Sequence, residues 1–187
     1  MKLPPNVILI GTMGAGKTST GKELARILKF EFWDMDQWIE QKSGQKVREI
    51  FEEKGEPFFR QQETNAIDWL VDKNYYVIST GGGVWNDPKN REKLLRRGWC
   101  VWLKVTAKGA LHRVGLNLEQ RPLLASSSDP LATVQRLLNE REPFYSLAHE
   151  RVETDGKTPG EVALEIHRKF LETKPFEQGD TPPNFNS

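Results

Sequence analysis

The stretch Val7-Ile8-Leu9-Ile10-Gly11-Thr12-Met13-Gly14-Ala15-Gly16-Lys17-Thr18 decides how this chain is read. Its last eight residues fit G-x-x-x-x-G-K-[ST], the phosphate-binding P-loop. Glycines without a Cβ let backbone N–H groups turn inward around a polyphosphate. Lys17 then reaches the outer phosphates, and the Thr18 hydroxyl is offered to Mg²⁺. The helix that begins here aims its positive end at the anion. The flanks agree: Val7–Ile10 is an apolar run of strand type, and 19–29 has helical spacing. A Gly-rich turn without function is the alternative, and the place between strand and helix favours nucleotide binding.

Outward from that stretch, apolar runs alternate with helical patterns. Strands are expected at 7–10, 31–33, 76–79, 100–104 and 151–154. Helices are expected at 17–28, 37–43, 47–54, 57–72, 88–97, 107–113, 130–147 and 159–171. Such alternation implies an α/β fold with a parallel sheet covered on both faces. Ligands then bind at the carboxyl ends of the strands. The 187 residues make one domain, expected over 1–173. Residues 115–129 form a polar stretch between two helices and read as a lid, set against a solvated loop with no role. The tail 174–187 has little to bury and is expected to be disordered.

A net charge of +1 gives no support for a nucleic-acid or membrane-surface partner. The single cysteine, Cys100, lies in an apolar strand, which excludes an internal disulfide and points to a reducing compartment. With the first strand beginning by Asn6, no signal or transit peptide is expected, so the reading is cytoplasmic. Little exposed apolar content fits a monomer.

Asp34 and Asp36 follow the second strand. Two apart on an extended segment they face the same way, one to hold the water shell of Mg²⁺, the other to accept from a substrate hydroxyl. The competing account is a helix cap at Asp36. Thr80-Gly81-Gly82-Gly83 follows the third strand, and three glycines suggest close approach of backbone to a ligand. A flexible turn is the alternative. Many P-loop proteins place a Mg²⁺-binding Asp at the end of such a strand; here none sits there, which raises the standing of Asp34 as the metal carboxylate. Arg60 and Glu63, three apart on a helix, can pair, commonly as a mere surface ion pair. Arg141 lies near a helix end, and arginine forks match carboxylates. His112, His149 and His167 show no metal-ligand spacing, the last two falling in helical patterns. The six tryptophans read mostly as core.

Taken together the residues resemble the shikimate kinase family. The likeness runs from about Asn6 to Phe170. It covers the P-loop; Phe32-Trp33-Asp34-Met35-Asp36; Ile50-Phe51 through Gly55-Glu56 to Phe59-Arg60-x-x-Glu63; Thr80-Gly81-Gly82-Gly83; Arg121-Pro122-Leu123-Leu124; and Arg141-x-Pro143-x-Tyr145. The resemblance implies a three-layer P-loop kinase fold with a five-stranded parallel sheet of order 2-3-1-4-5. A substrate-binding region would span about 34–63 and a lid about 113–129. It implies ATP and Mg²⁺, and phosphorylation of the 3-hydroxyl of shikimate in aromatic amino-acid biosynthesis.

By the same resemblance Gly14, Ala15, Gly16, Lys17, Thr18 and Ser19 would cradle ATP phosphates. Thr18 would bind Mg²⁺, with Asp34 holding it through water. Asp36 would bind the reacting hydroxyl and act as base. Arg60 and Arg141 would clamp the shikimate carboxylate, with Glu63 orienting Arg60. Gly81, Gly82 and Gly83 would approach the substrate. Arg121 would swing in with the lid onto the phosphates, and Arg113 and Pro159 would flank adenine. The stretch between Arg113 and Arg121 departs from the family, being one residue longer and less basic. Two rivals stand beside this reading: another small-molecule kinase such as gluconate kinase, and a non-catalytic nucleotide-binding relative.

Overall fold

The computed structural model describes residues 6–115, 124 and 127–173. Five parallel strands form one sheet in the order β2-β3-β1-β4-β5. They are β1 (Val7–Ile10), β2 (Glu31–Asp34), β3 (Tyr76–Ser79), β4 (Trp99–Lys104) and β5 (Glu150–Glu153). Val7 stands opposite both Val77 and Trp99, which places β1 at the centre. The expected fold class and strand order are therefore those observed.

Side-chain alternation divides the core in two. Val7, Leu9, Val77, Val101 and Leu103 face one way, against helices α1 (Lys17–Leu28), α5 (Ala107–Val114) and α7 (Pro159–Glu172). Ile8, Ile10, Ile78, Cys100 and Trp102 face the other way, towards α2 (Met35–Ser43), α3 (Val47–Trp69) and α4 (Pro88–Arg97). Helix α6 (Pro130–Tyr145) spans both, with Val134 and Leu138 in the first cluster and Tyr145 in the second. Every β1 residue is fully buried, as a central parallel strand covered on both faces must be. Burying each such aliphatic side chain contributes about 1.5–3 kcal/mol.

Several expected boundaries shift for local reasons. Strand β2 ends at Asp34, whose Oδ1 accepts from Gln37 N (3.2 Å) as the N-cap of α2. Asp36 thus sits in the first turn of a helix rather than on an extended segment, and the cap is Asp34. The break expected between the helices at 47–54 and 57–72 is observed at Gly55, whose backbone is non-helical (φ 79°, ψ 170°), so α3 is two helical segments joined at a kink; the second ends at Trp69 and is followed by a 3-10 turn at Leu70–Asp72. Helix α6 ends at Tyr145, and His149 lies in the turn before β5 rather than in a helix. There its Nδ1 accepts from Cys100 N (2.9 Å), and burial lowers its pKa. Trp69 is over a third exposed, stacked on buried Trp33, so not every tryptophan is core. Most of the expected lid and the whole tail 174–187 fall outside the described residues. No described helix is long and apolar enough to cross a membrane.

Candidate active site

Asp34 at the end of β2, Ser79 at the end of β3, the loop after β1 and Thr154 just beyond β5 line one cavity of about 460 Å³, within the range of small-molecule sites. One wall is the loop between β1 and α1. Gly14 (φ 74°) and Gly16 (φ 91°) both take left-handed backbone there. At Gly14 a Cβ would also lie 2.4 Å from the Ala110 carbonyl oxygen of α5. Helix α1 starts with no side-chain cap and no acidic residue in its first turn. Its first N–H groups and dipole therefore face the cavity without an acidic side chain of the helix's own to cap them. Lys17 lies folded over the loop, its Nζ donating to Gly11 O (2.8 Å) and Thr12 O (2.9 Å).

Thr18 Oγ1 donates to Asp34 Oδ2 (2.8 Å) and lies 3.4 Å from Ser79 Oγ. The P-loop hydroxyl and the end-of-β2 carboxylate, far apart in sequence, thus meet beside the end of β3. This all-oxygen donor set has the hard chemistry that suits Mg²⁺, which keeps several of its own waters. Among the described residues no cluster of three or more His, Cys, Asp or Glu could hold a metal by itself.

Arg113 and Pro159 both line the cavity. Arg113 Nη1 donates to Thr154 Oγ1 (2.8 Å) and lies 3.4 Å from the carbonyls of Gly14 and Ala15, while Nη2 donates to Thr154 O. Arg113 therefore ties the end of β5 to the back of the phosphate loop. Thr154 in this role was not foreseen from sequence; its only signal is a hydroxyl at the end of an expected strand. Arg121 lies outside the described residues.

The opposite wall holds Asp36, Arg60, Glu63, Gly81, Gly82, Gly83 and Arg141, with Val47, Phe51 and Phe59 as its apolar part. The bend at Gly55 brings both halves of α3 to this wall. Sequence reading assigned no role to Val47, Phe51 or Phe59; alternation of apolar residues on a helix predicts burial, not which burial faces a cavity. Arg60 Nη1 donates to Glu63 Oε2 and Nη2 to Glu56 Oε1, each at 2.6 Å. Glu63 is fully buried. Withdrawal from water outweighs the attraction of Arg60 and pushes the Glu63 pKa up to about 7, with Asp36 adding to the rise. Burial works against the Arg60 charge, yet the carboxylates of Glu63 and Glu56 outweigh it and hold its pKa above the usual value.

Two of the three glycines, Gly81 and Gly83, are demanded by proximity. A Cβ on Gly81 would lie 2.0 Å from Glu63 Oε1, and one on Gly83 would lie 2.5 Å from Arg60 Nη1. Arg141 is 5% exposed and donates from Nη1 to Gly82 O (3.0 Å). Two guanidinium groups and a carboxylate thus face a phosphate loop across one cavity, the arrangement needed to hold a small hydroxy acid against a polyphosphate.

The family model for shikimate kinase matches residues 13–171. This chain belongs to the shikimate kinase family. It is 40% identical to the shikimate kinase of Sulfurihydrogenibium sp., covering 88% of this chain and 97% of that one. With the shikimate kinase of Moorella thermoacetica it shares 44%, over 88% and 93% of the two chains. Its structure superposes with a TM-score of 0.87 on shikimate kinase from Acinetobacter baumannii in complex with shikimate, at 38% identity over 92% and 95% of the chains. A gluconokinase from Sinorhizobium meliloti matches with a TM-score of 0.58 at 16% identity, which shows a shared fold alone. Members of the shikimate kinase family use ATP, and this chain is accordingly an ATP-dependent phosphotransferase.

Proposed function

We propose that this chain transfers the γ-phosphoryl group of ATP to the 3-hydroxyl of shikimate, giving ADP and shikimate 3-phosphate. The observation that supports it best is the cavity with a P-loop on one wall and Arg60, Arg141 and Asp36 on the other. In this reading residues 14–19 cradle the phosphates through backbone N–H groups. Lys17 exchanges its two carbonyl partners for the outer phosphates. Arg60 and Arg141 clamp the acceptor carboxylate, because planar guanidinium forks match it. Asp36 accepts from the reacting hydroxyl and takes its proton. Gly81, Gly82 and Gly83 let the acceptor approach backbone. Arg113 and Pro159 flank the adenine.

Thr18, with Asp34 behind it through water, would hold Mg²⁺. Bound there, the ion would offset charge on the phosphate oxygens. Arg121, delivered by a closing lid, completes the reading by meeting the transferring group and excluding water, which would otherwise accept the phosphoryl. We place the enzyme in the cytoplasm, a view supported by its lone, buried free thiol at Cys100, and read it as a monomer.

The test is ADP release followed in a coupled assay with shikimate, with gluconate and with no acceptor. Turnover with shikimate alone is the expected result. Turnover with gluconate would move the substrate assignment, and no turnover with either would leave a binding protein.

A further inference from the structure

Beyond the residues that face the acceptor, one buried group is tied to them through a single backbone carbonyl. Gly82 O accepts twice: from Arg141 Nη1 at 3.0 Å and from the Tyr145 hydroxyl at 2.5 Å. Tyr145 is fully buried at the end of α6, its ring 5.8 Å from that of Trp102. Gly82 itself sits between Arg141 and the phosphate loop, with room for ordinary contact only. A Cβ there would lie 3.5 Å from Arg141 Nη1 and 3.6 Å from both Gly11 O and Met13 N of the phosphate loop. The segment Gly81-Gly82-Gly83 has no side chains to hold its own conformation. Its orientation must come from neighbours.

We propose that Tyr145 is a positioning residue for the acceptor: its hydroxyl fixes the Gly82 carbonyl and thereby sets where Arg141 presents its guanidinium. A carbonyl oxygen has two lone pairs. With Tyr145 on one of them, one N–H of Arg141 satisfies the other, and the Tyr145 hydroxyl also lies close enough to act directly on the Arg141 guanidinium, which lines the cavity. Without the hydroxyl, a buried carbonyl is left under-satisfied, and it draws Arg141 or the glycine segment out of place. The effect belongs to the acceptor half, since the phosphates are held by residues 14–19. The inference rests on the assignment of Arg141 to the acceptor carboxylate.

Tyr145→Phe keeps the ring and removes only the hydroxyl. It is expected to raise the shikimate KM about three- to tenfold, in line with one hydrogen bond, with kcat and the ATP KM within twofold. Trp85→Phe is the structural control. It removes the Nε1 donation to Phe144 O (2.7 Å), which ties the same helix to the segment after the glycines without touching Gly82 O. It should lower Tm and leave the shikimate KM within twofold. A third variant, Arg141→Lys, tests the underlying assignment. An unchanged shikimate KM in Tyr145→Phe, with a raised one in Arg141→Lys, overturns the inference alone. Unchanged values in both overturn the carboxylate clamp. An equal rise in Trp85→Phe reduces Tyr145 to a packing residue.

The native fold permits a second measurement, because the chain has only three tyrosines. In enzyme labelled with 3-fluorotyrosine, the ¹⁹F resonance of Tyr145 should move on addition of shikimate. A resonance unmoved by saturating shikimate would also overturn the inference.

Discussion

Substituting Gly83 by alanine isolates the acceptor clamp with one methyl group. The backbone at Gly83 (φ −105°, ψ −14°) is open to any residue, so the change adds no dihedral strain. The added Cβ would lie 2.5 Å from Arg60 Nη1 and 2.6 Å from its Cζ and Nη2, nearly an ångström inside ordinary contact. Arg60 is pinned by Glu63 and Glu56 at 2.6 Å each, so its guanidinium cannot yield without loosening one of those bonds and losing its aim. A hydrogen bond to a charged group contributes about 1.5–3 kcal/mol. Its loss corresponds to a rise in shikimate KM of about ten- to hundredfold. Glu63 can take up a proton near neutrality, since its pKa is about 7, so the cost to the fold is at most that of one hydrogen bond to a charged group, about 1.5–3 kcal/mol. That equals a Tm decrease of about 2–4 °C for each kcal/mol. Initial rates with either substrate varied, together with thermal melting, supply the readout. A folded Gly83→Ala enzyme with shikimate KM within twofold of the parent would refute the reasoning, because Arg60 would then not occupy the place on which acceptor binding depends.

Three other outcomes are expected. Lys17→Ala should abolish turnover while shifting Tm by only a few degrees, since it removes two part-buried hydrogen bonds to loop carbonyls and no core packing; near-normal kcat would contradict its phosphate role. Asp34→Asn should raise the Mg²⁺ concentration needed for half-maximal rate about tenfold with the shikimate KM unchanged, and an unaltered Mg²⁺ titration would remove Asp34 from the metal site. Between pH 4.5 and about 7 the folded chain keeps a proton on Glu63 that the unfolded chain has lost, so this group's contribution to stability falls as pH rises through 7. Glu63→Gln, which mimics the protonated form, should flatten the fall of Tm between pH 5 and 8; an equally steep fall in the variant would place the titration elsewhere.

Much of the architecture was legible because it is written in local patterns. The boundaries of β1, β3, α1 and α4 were read from apolar runs and helical spacing. The P-loop was legible because its chemistry depends on residue types at short spacing. Asp36 lines the cavity, but the geometry expected for it was wrong. The chain turns into α2 at Asp34, and the helix, not an extended strand, presents the second carboxylate. Whether Arg60 and Glu63 form a surface pair or a buried one could not be read from an i,i+3 spacing. Burial is decided by what α4 and the glycine segment place on top of them.

By itself the sequence determined the parallel α/β sheet, the donor loop and the residue types of the acceptor pocket. Those depend on propensity, periodicity and contacts within a few residues. Only the tertiary structure decided that Thr18 meets Asp34, that Arg113 braces the phosphate loop from Thr154, and that Tyr145 and Arg141 share the carbonyl of Gly82. Each of these joins segments at least sixteen residues apart. The physical reason is the parallel sheet: it gathers the carboxyl ends of all five strands onto one edge, and partners distant in the chain become neighbours there without any local signal.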